Sequence, residues 1–209
     1  MTTTCITEEL KDVLGRISGM CFRVELALNI CIDGFIKHNI DLINSAQEET
    51  VAISEEGNKI RKLLSDKAAE RTINKEKIKS LLAVLNSIGL AVNGLDSMLR
   101  NVRFKICEKI ILSDMGLKEI RNVFNAILDF LKTAGEAIST RNSELEKYVL
   151  DKSWNLEKLA VRYAETHEDR MITGECLPEA SPVYVNILDS GLTLVWHIKK
   201  AVIRMFEQR

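Results

Sequence analysis

An all-α fold follows from three features of this sequence. Apolar residues return every three or four positions over long stretches, which is the spacing of one helix face. Two prolines and ten glycines in 209 residues leave few of the turn formers that many short strands would need. Residues that cap helices stand in the gaps between the apolar stripes.

The first stripe is Leu10, Leu14, Ile17, Cys21, Val24, Leu28, Cys31 and Phe35, one seam of a long helix. Asn39 then caps a second helix with a weaker stripe of Ile43, Ala46, Ile53, Ile60 and Leu64. Its "QEE" and "SEE" runs read as a solvated face. A break at Thr72 to Asn74 precedes the most regular helix, in which Ile78, Leu81, Leu85, Ile88, Val92, Leu95, Leu99, Val102 and Ile106 keep the spacing without a gap. Ser113 and Asp114 offer the cap of a fourth helix, whose buried side is Leu117, Ile120, Phe124, Ile127, Leu131, Ala134 and Ile138. Ser143 with Glu146 fits a capping box for a fifth, buried through Leu145, Val149, Leu156, Leu159 and Tyr163. Gly174 is suited to end it, because glycine takes the left-handed conformation without strain. Ser181-Pro182 opens the sixth, where proline loses nothing by its missing N–H. Leu188, Leu192, Val195, Ile198, Val202 and Met205 run along that last helix.

Six long antiparallel helices predict two three-helix bundles, 1–112 and 113–209, with the boundary at Ser113. No period of about 34–47 residues repeats cleanly, which disfavours a helical solenoid. A four-helix bundle carrying two extra helices is the architectural alternative.

Composition narrows the function. With 46% apolar and 28% charged residues the chain is globular rather than disordered. A formal charge of −1 provides no bulk basic field for nucleic acid. "MTTTCITEEL" has neither the basic nor the apolar part of a signal peptide. No stretch approaches the roughly 18 uninterrupted apolar residues of a membrane span; "ALNICIDGFI" is nearest, and Asp33 interrupts it. A cytoplasmic protein is expected, reaching a membrane only through a partner. Five cysteines with no CxxC pair fit neither a disulfide framework nor a zinc knuckle. Cys21 and Cys31 are expected in the core, whereas Cys176 lies in a loop and is the cysteine to test for reactivity.

Catalytic motifs are missing from the sequence. There is no nucleophile elbow, no phosphate-binding glycine loop and no Glu-x-x-His of the di-iron type. Carboxylate pairs such as Glu48-Glu49, Glu55-Glu56 and Glu168-Asp169 are sequence neighbours, which point about 100° apart on a helix and do not converge. His38 and His167 fall near helix ends, in solvated or dipole-facing positions. In "WHIKKAVIR", Lys199, Lys200 and Arg204 form a solvated face of snorkelling cations, or else a patch for nucleic acid or anionic lipid. Trp196 is expected to pack in the core; the alternative is an exposed anchor for a partner.

Two stretches carry a family resemblance. One is His167-Glu168-Asp169-Arg170-Met171, continued by Gly174-Glu175-Cys176 and Glu179-Ala180. The other pairs "LLAVLNSI" (Leu81 to Ile88) with "ILSDMGLKEI" (Ile111 to Ile120). Together they resemble the PhoU family, and more closely the PhoU-like domains attached to bacterial sodium/phosphate cotransporters. The resemblance implies two three-helix bundles related by an internal repeat. Many members hold iron or zinc clusters through Glu-x-x-x-Asp on the third helix of each bundle, since residues four apart share a helix face. Here the corresponding positions are Gly89 and Asn93 in the first bundle, and Leu192 and Trp196 in the second. No metal or other cofactor is therefore expected.

The resemblance implies a non-enzymatic regulator or adaptor in phosphate transport or phosphate signalling. Its expected partner is a phosphate transporter, the transporter's ATPase or a sensor kinase, and a homodimer is compatible with that role. The expected partner-binding residues are Trp196, His197, Lys199, Lys200 and Arg204. The alternatives are an iron- or zinc-binding bundle with carboxylate sites elsewhere, and a helical self-assembly module.

Overall fold

The structure is a computed structural model that describes residues 2–70 and 74–207, with side chains from Lys11 onward. The side chains of Cys5 and Leu10, and Thr72, lie outside the described residues. Among the described residues the chain forms α1 (Thr2–Lys37), α2 (Ile40–Ala69), α3 (Lys75–Cys107), α4 (Asp114–Thr140), α5 (Ser143–Ile172), a short 3₁₀ turn (Pro178–Ala180) and α6 (Ser181–Phe206), with no strand.

The helix ends follow from local chemistry. Asn39 Oδ1 accepts from the backbone N–H of Asp41 and Leu42 at 2.9 and 3.2 Å, satisfying two of the donors that a helix start leaves open. Asn74 and Ser113 do the same for α3 and α4, accepting from the N–H of Glu76 and Gly116. At α5 the cap is Asn142, whose side chain accepts from Glu144 N at 2.9 Å. Ser143 is already the first helical residue, so the helix starts one residue earlier than the capping box predicts. Gly174 has φ 76°. With Glu175 N–H donating to Arg170 O and Gly174 N–H to Met171 O, it closes α5 in a Schellman motif.

Packing explains the uneven stripes. In α2 the buried residues are Ile43, Ala46, Thr50, Ile53, Gly57, Ile60 and Leu64. That is an unbroken three-four row whose gaps in the apolar pattern are a threonine and a glycine. In α5 the row is Val149, Ser153, Leu156, Ala160 and His167, so two polar residues occupy core places. Within each half the three helices pack on one another, and the halves meet along α3–α6 and α1–α4. One apolar core runs through all six helices. At the α3–α6 crossing the backbones approach so closely that a β-carbon on Gly94 would sit 2.9 Å from Leu194 N and 3.2 Å from Ser190 O.

This central position accounts for the composition of α3. By length and mean hydropathy it could cross a membrane, although no uninterrupted apolar run of that length occurs in it. More than half of its most apolar window is buried inside the bundle, where helices hydrophobic on most sides belong.

Candidate functional site

Two regions concentrate polar chemistry. The first is buried at the α5–α6 hairpin. Arg170 on α5 donates from Nη1 to Glu119 Oε1 at 3.0 Å and from Nη2 to Glu119 Oε2 at 2.6 Å, a bidentate pair across to α4. Tyr184 on α6 donates its hydroxyl to Glu119 Oε2 at 2.5 Å. His167 is buried, with its Nε2 2.9 Å from Ser181 Oγ and its ring stacked on Tyr184 at 4.3 Å. Its position near a helix end suggests solvent or a dipole-facing role; instead the ring is sandwiched into the hairpin. Cys176 Sγ lies 3.5 Å from Ser113 Oγ. "ILSDMGLKEI", from one of the stretches that carry the resemblance, and His167 to Ala180, the other, thus meet in space through Glu119–Arg170 and Ser113–Cys176.

Burial and neighbouring charge set the ionisation here. Burial alone would lower the Arg170 pKa, but its hydrogen bonds and charge attraction with Glu119 hold it above the ordinary value. Burial raises Tyr184, and the Glu119 carboxylate raises it further. Burial, then the Arg170 charge, push His167 below the usual histidine range. His167 is thereby held neutral, and its Nδ1 has no hydrogen-bond partner among the described residues. Glu119 is committed to an arginine and a tyrosine, and it does not orient His167. The arrangement locks α4, α5 and α6 together and lacks the base–orienter geometry of a catalytic triad.

The second region is a surface groove of about 400 Å³ between α5 and α6. Ser153 and Glu157 form its α5 wall; Leu192, Val195, Trp196, His197 and Lys199 are among those that form the α6 wall. Trp196 is 49% exposed, so it does not pack in the core as expected. Its ring takes Lys200 Nζ over one face at 3.7 Å and meets His197 in a T-shaped contact, ring centres 4.6 Å apart. On α5, Trp154 is 56% exposed and carries Lys158 Nζ 4.8 Å from its ring centre. Both tryptophans of the chain are therefore solvent-facing with a lysine one helical turn on, a pairing the sequence shows only as scattered residues. His197 is lowered from the usual histidine range by burial, then by Lys200 and Arg204.

The structure brings Trp196, His197, Lys199 and Lys200 to one surface. Arg204 turns away: its Nη1 donates to Ala83 O and to Ser87 Oγ, both at 2.9 Å, and braces α6 on α3. Cys176 is largely buried, and Cys107 is the exposed thiol among the described residues.

Iron or zinc finds no matching donors at the third-helix positions. Gly89, Asn93, Leu192 and Trp196 supply no anionic atom, and the Arg61 guanidinium reaches over Gly89, 3.3 Å from where a β-carbon would stand. Among the described residues no group of three His, Cys, Asp or Glu side chains converges. Iron and zinc sites need several such oxygen, nitrogen or sulfur donors on one ion.

No protein-family model and no curated protein matches the sequence. Solved structures do match the fold. PhoU from Pseudomonas aeruginosa superposes with a TM-score of 0.82 at 16% identity, covering 95% of this chain and 96% of that one. The phosphate transport system regulatory protein PhoU from Streptococcus pneumoniae superposes with a TM-score of 0.83 at 11% identity, covering 97% of each. Over nearly its whole length, this chain has the fold of PhoU.

Proposed function

We propose that this protein is a non-enzymatic, PhoU-like regulator of phosphate transport or phosphate signalling that acts by docking. The carrying observation is the full-length likeness to PhoU structures, one of them a phosphate transport system regulatory protein. The groove between α5 and α6 is the docking surface. Trp196 and Leu192 supply an apolar bed, and Lys199 and Lys200 supply positive charge. Their chemistry suits an acidic, partly apolar segment of a transporter, its ATPase or a sensor kinase. Exposed tryptophans are favoured anchors at interfaces, and rim lysines steer an acidic partner. Regulation then requires that the docked chain bind one state of its partner more tightly than the other. Membrane association comes through that partner.

Deleting the gene and following phosphate uptake and a phosphate-starvation reporter tests the proposal in cells. Uptake or reporter activity should change by a few-fold. The wild-type gene should restore it, and a Trp196→Ala, Lys200→Ala double variant should not. Unchanged uptake and reporter activity in the deletion strain contradicts the regulatory role. Stoichiometric iron or zinc in protein purified without a histidine tag would favour the metal-binding alternative instead.

A further inference from the structure

A second groove, of about 480 Å³, lies between the first-half helices and is walled by residues of α1, α2 and α3. Its polar lining includes Ser54, Asn58, Arg61, Asn86 and Asn93, and among the described residues the one charge in it is the Arg61 guanidinium. This chain carries 30 acidic residues against 29 basic ones, yet among the described residues no carboxylate lines the groove. Neighbouring arginines behave differently. Arg16 pairs with Glu56 and Arg23 with Glu49, clamping α1 to α2. Arg61 has no carboxylate partner among the described residues; Nη1 donates to the neutral Asn58 Oδ1 at 2.8 Å.

The groove is shaped around that guanidinium. A β-carbon on Gly57 of α2 would stand 3.6 Å from Arg61 Nη1 and 3.1 Å from Met20 Cε. One on Gly89 of α3 would stand 3.3 Å from Arg61 Nη2. Glycine is among the poorest helix formers, and both of these lie deep inside long helices. Each leaves room for the same side chain, so the guanidinium rests in a slot between the two helices. Around it are carboxamides, which donate two N–H bonds each, and a hydroxyl. Met20, Ile53, Leu90 and Val92 line the apolar part of the groove.

We infer that this groove binds a small organic anion, with a phosphate or carboxylate group on Arg61 and the organic body over the apolar floor. A guanidinium fork matches either oxyanion with two parallel hydrogen bonds. The volume exceeds that of an inorganic ion and lies within the range of small-molecule sites. A metal cation is repelled by the same charge. The inference is independent of the docking role, because the groove lies on the other half of the chain.

Calorimetric titration at low ionic strength tests it, with AMP, glucose 6-phosphate, citrate and inorganic phosphate as probes. Side-chain amide NMR signals of Asn58, Asn86 and Asn93 report the location. At least one organic probe should bind, shift those amides and bind more tightly than inorganic phosphate. Arg61→Ala should weaken it by about tenfold or more, as expected for loss of a charge-assisted bidentate contact. Asn93→Asp, at an exposed position, should weaken it comparably while leaving the melting midpoint near wild type. Failure of all four probes to move the amides overturns the site. So does equal affinity in Arg61→Ala. Inorganic phosphate binding as tightly as the organic probes overturns the assignment of an organic ligand.

Discussion

Arg170 holds Glu119 with both terminal nitrogens, at 3.0 and 2.6 Å, across the gap between α5 and α4. Both side chains are nearly withdrawn from water, at 12% and 7% exposure. Removing one partner of such a pair strands a buried charge, which costs about 3–5 kcal/mol in comparable sites. Glu119→Ala is therefore expected to lower unfolding free energy by about 3 kcal/mol in urea titration. Tyr184→Phe, which removes one hydrogen bond to the same carboxylate, should lower it by about 1–2 kcal/mol. Combining Glu119→Leu with Arg170→Met should be less damaging than the two single changes added together, because the stranded charge disappears.

His167 predicts an acid-sensitive hairpin. Its folded pKa lies below the unfolded value near 6.5, owing to burial and then to Arg170. Above that pH the ring is neutral in both states and contributes no slope. As pH falls through about 6.5 the unfolded chain takes up a proton that the folded chain resists, so stability drops by at most about 1.4 kcal/mol per pH unit for this one group. The loss ends once the pH passes the folded pKa. Denaturation midpoints measured from pH 7.5 to 5 should fall for the wild type, and less steeply for His167→Gln. Parallel slopes in the two proteins would place the acid sensitivity elsewhere.

Two glycines make a matched pair. A methyl group on Gly94 would press on the α6 backbone at Leu194 N and Ser190 O, neither of which moves without the helix. Gly15 has open space around it. Gly94→Ala should destabilise by about 1–3 kcal/mol through overpacking, whereas Gly15→Ala should stabilise by up to about 1 kcal/mol through helix propensity. Thermal denaturation of the two variants beside wild type checks the opposite signs.

Thiol reactivity should follow burial. Burial pushes Cys21 and Cys31 up to about 12, so at pH 8 neither forms appreciable thiolate, the reactive species. Cys107 is exposed at the end of α3. In native protein treated with a maleimide and mapped by mass spectrometry, Cys107 should react first, Cys176 slowly, and Cys21 and Cys31 only on unfolding. Rapid native labelling of Cys21 would contradict the packing of α1.

The helices were legible because each buries one face, and a three-four apolar rhythm follows directly from that. Where burial is filled by other chemistry, the rhythm breaks. Thr50 and Gly57 hide part of the α2 row, and Ser153 and His167 hide part of the α5 row. His167 reads as a helix-end residue in sequence; its burial depends on Tyr184 and Ser181, which join it only when the hairpin closes. Trp196 reads as core by residue type, but its place on the α6 face is set by what α5 leaves uncovered. Arg204 looks like a third surface cation beside Lys199 and Lys200. The carbonyl of Ala83 and the hydroxyl of Ser87 claim it instead. The Arg61 groove could not be read at all, since its walls come from three helices and its clearest mark is an absent carboxylate.

The most direct measurement of the docking account is the affinity of the purified chain for the phosphate-transport ATPase encoded in the same genome, measured with ATP and then with ADP. The account predicts binding whose strength differs between the two nucleotide states by about fivefold or more, the range of typical coupling energies, and that Trp196→Ala weakens about tenfold. Equal affinity in both states, or binding untouched by the loss of Trp196, would contradict it.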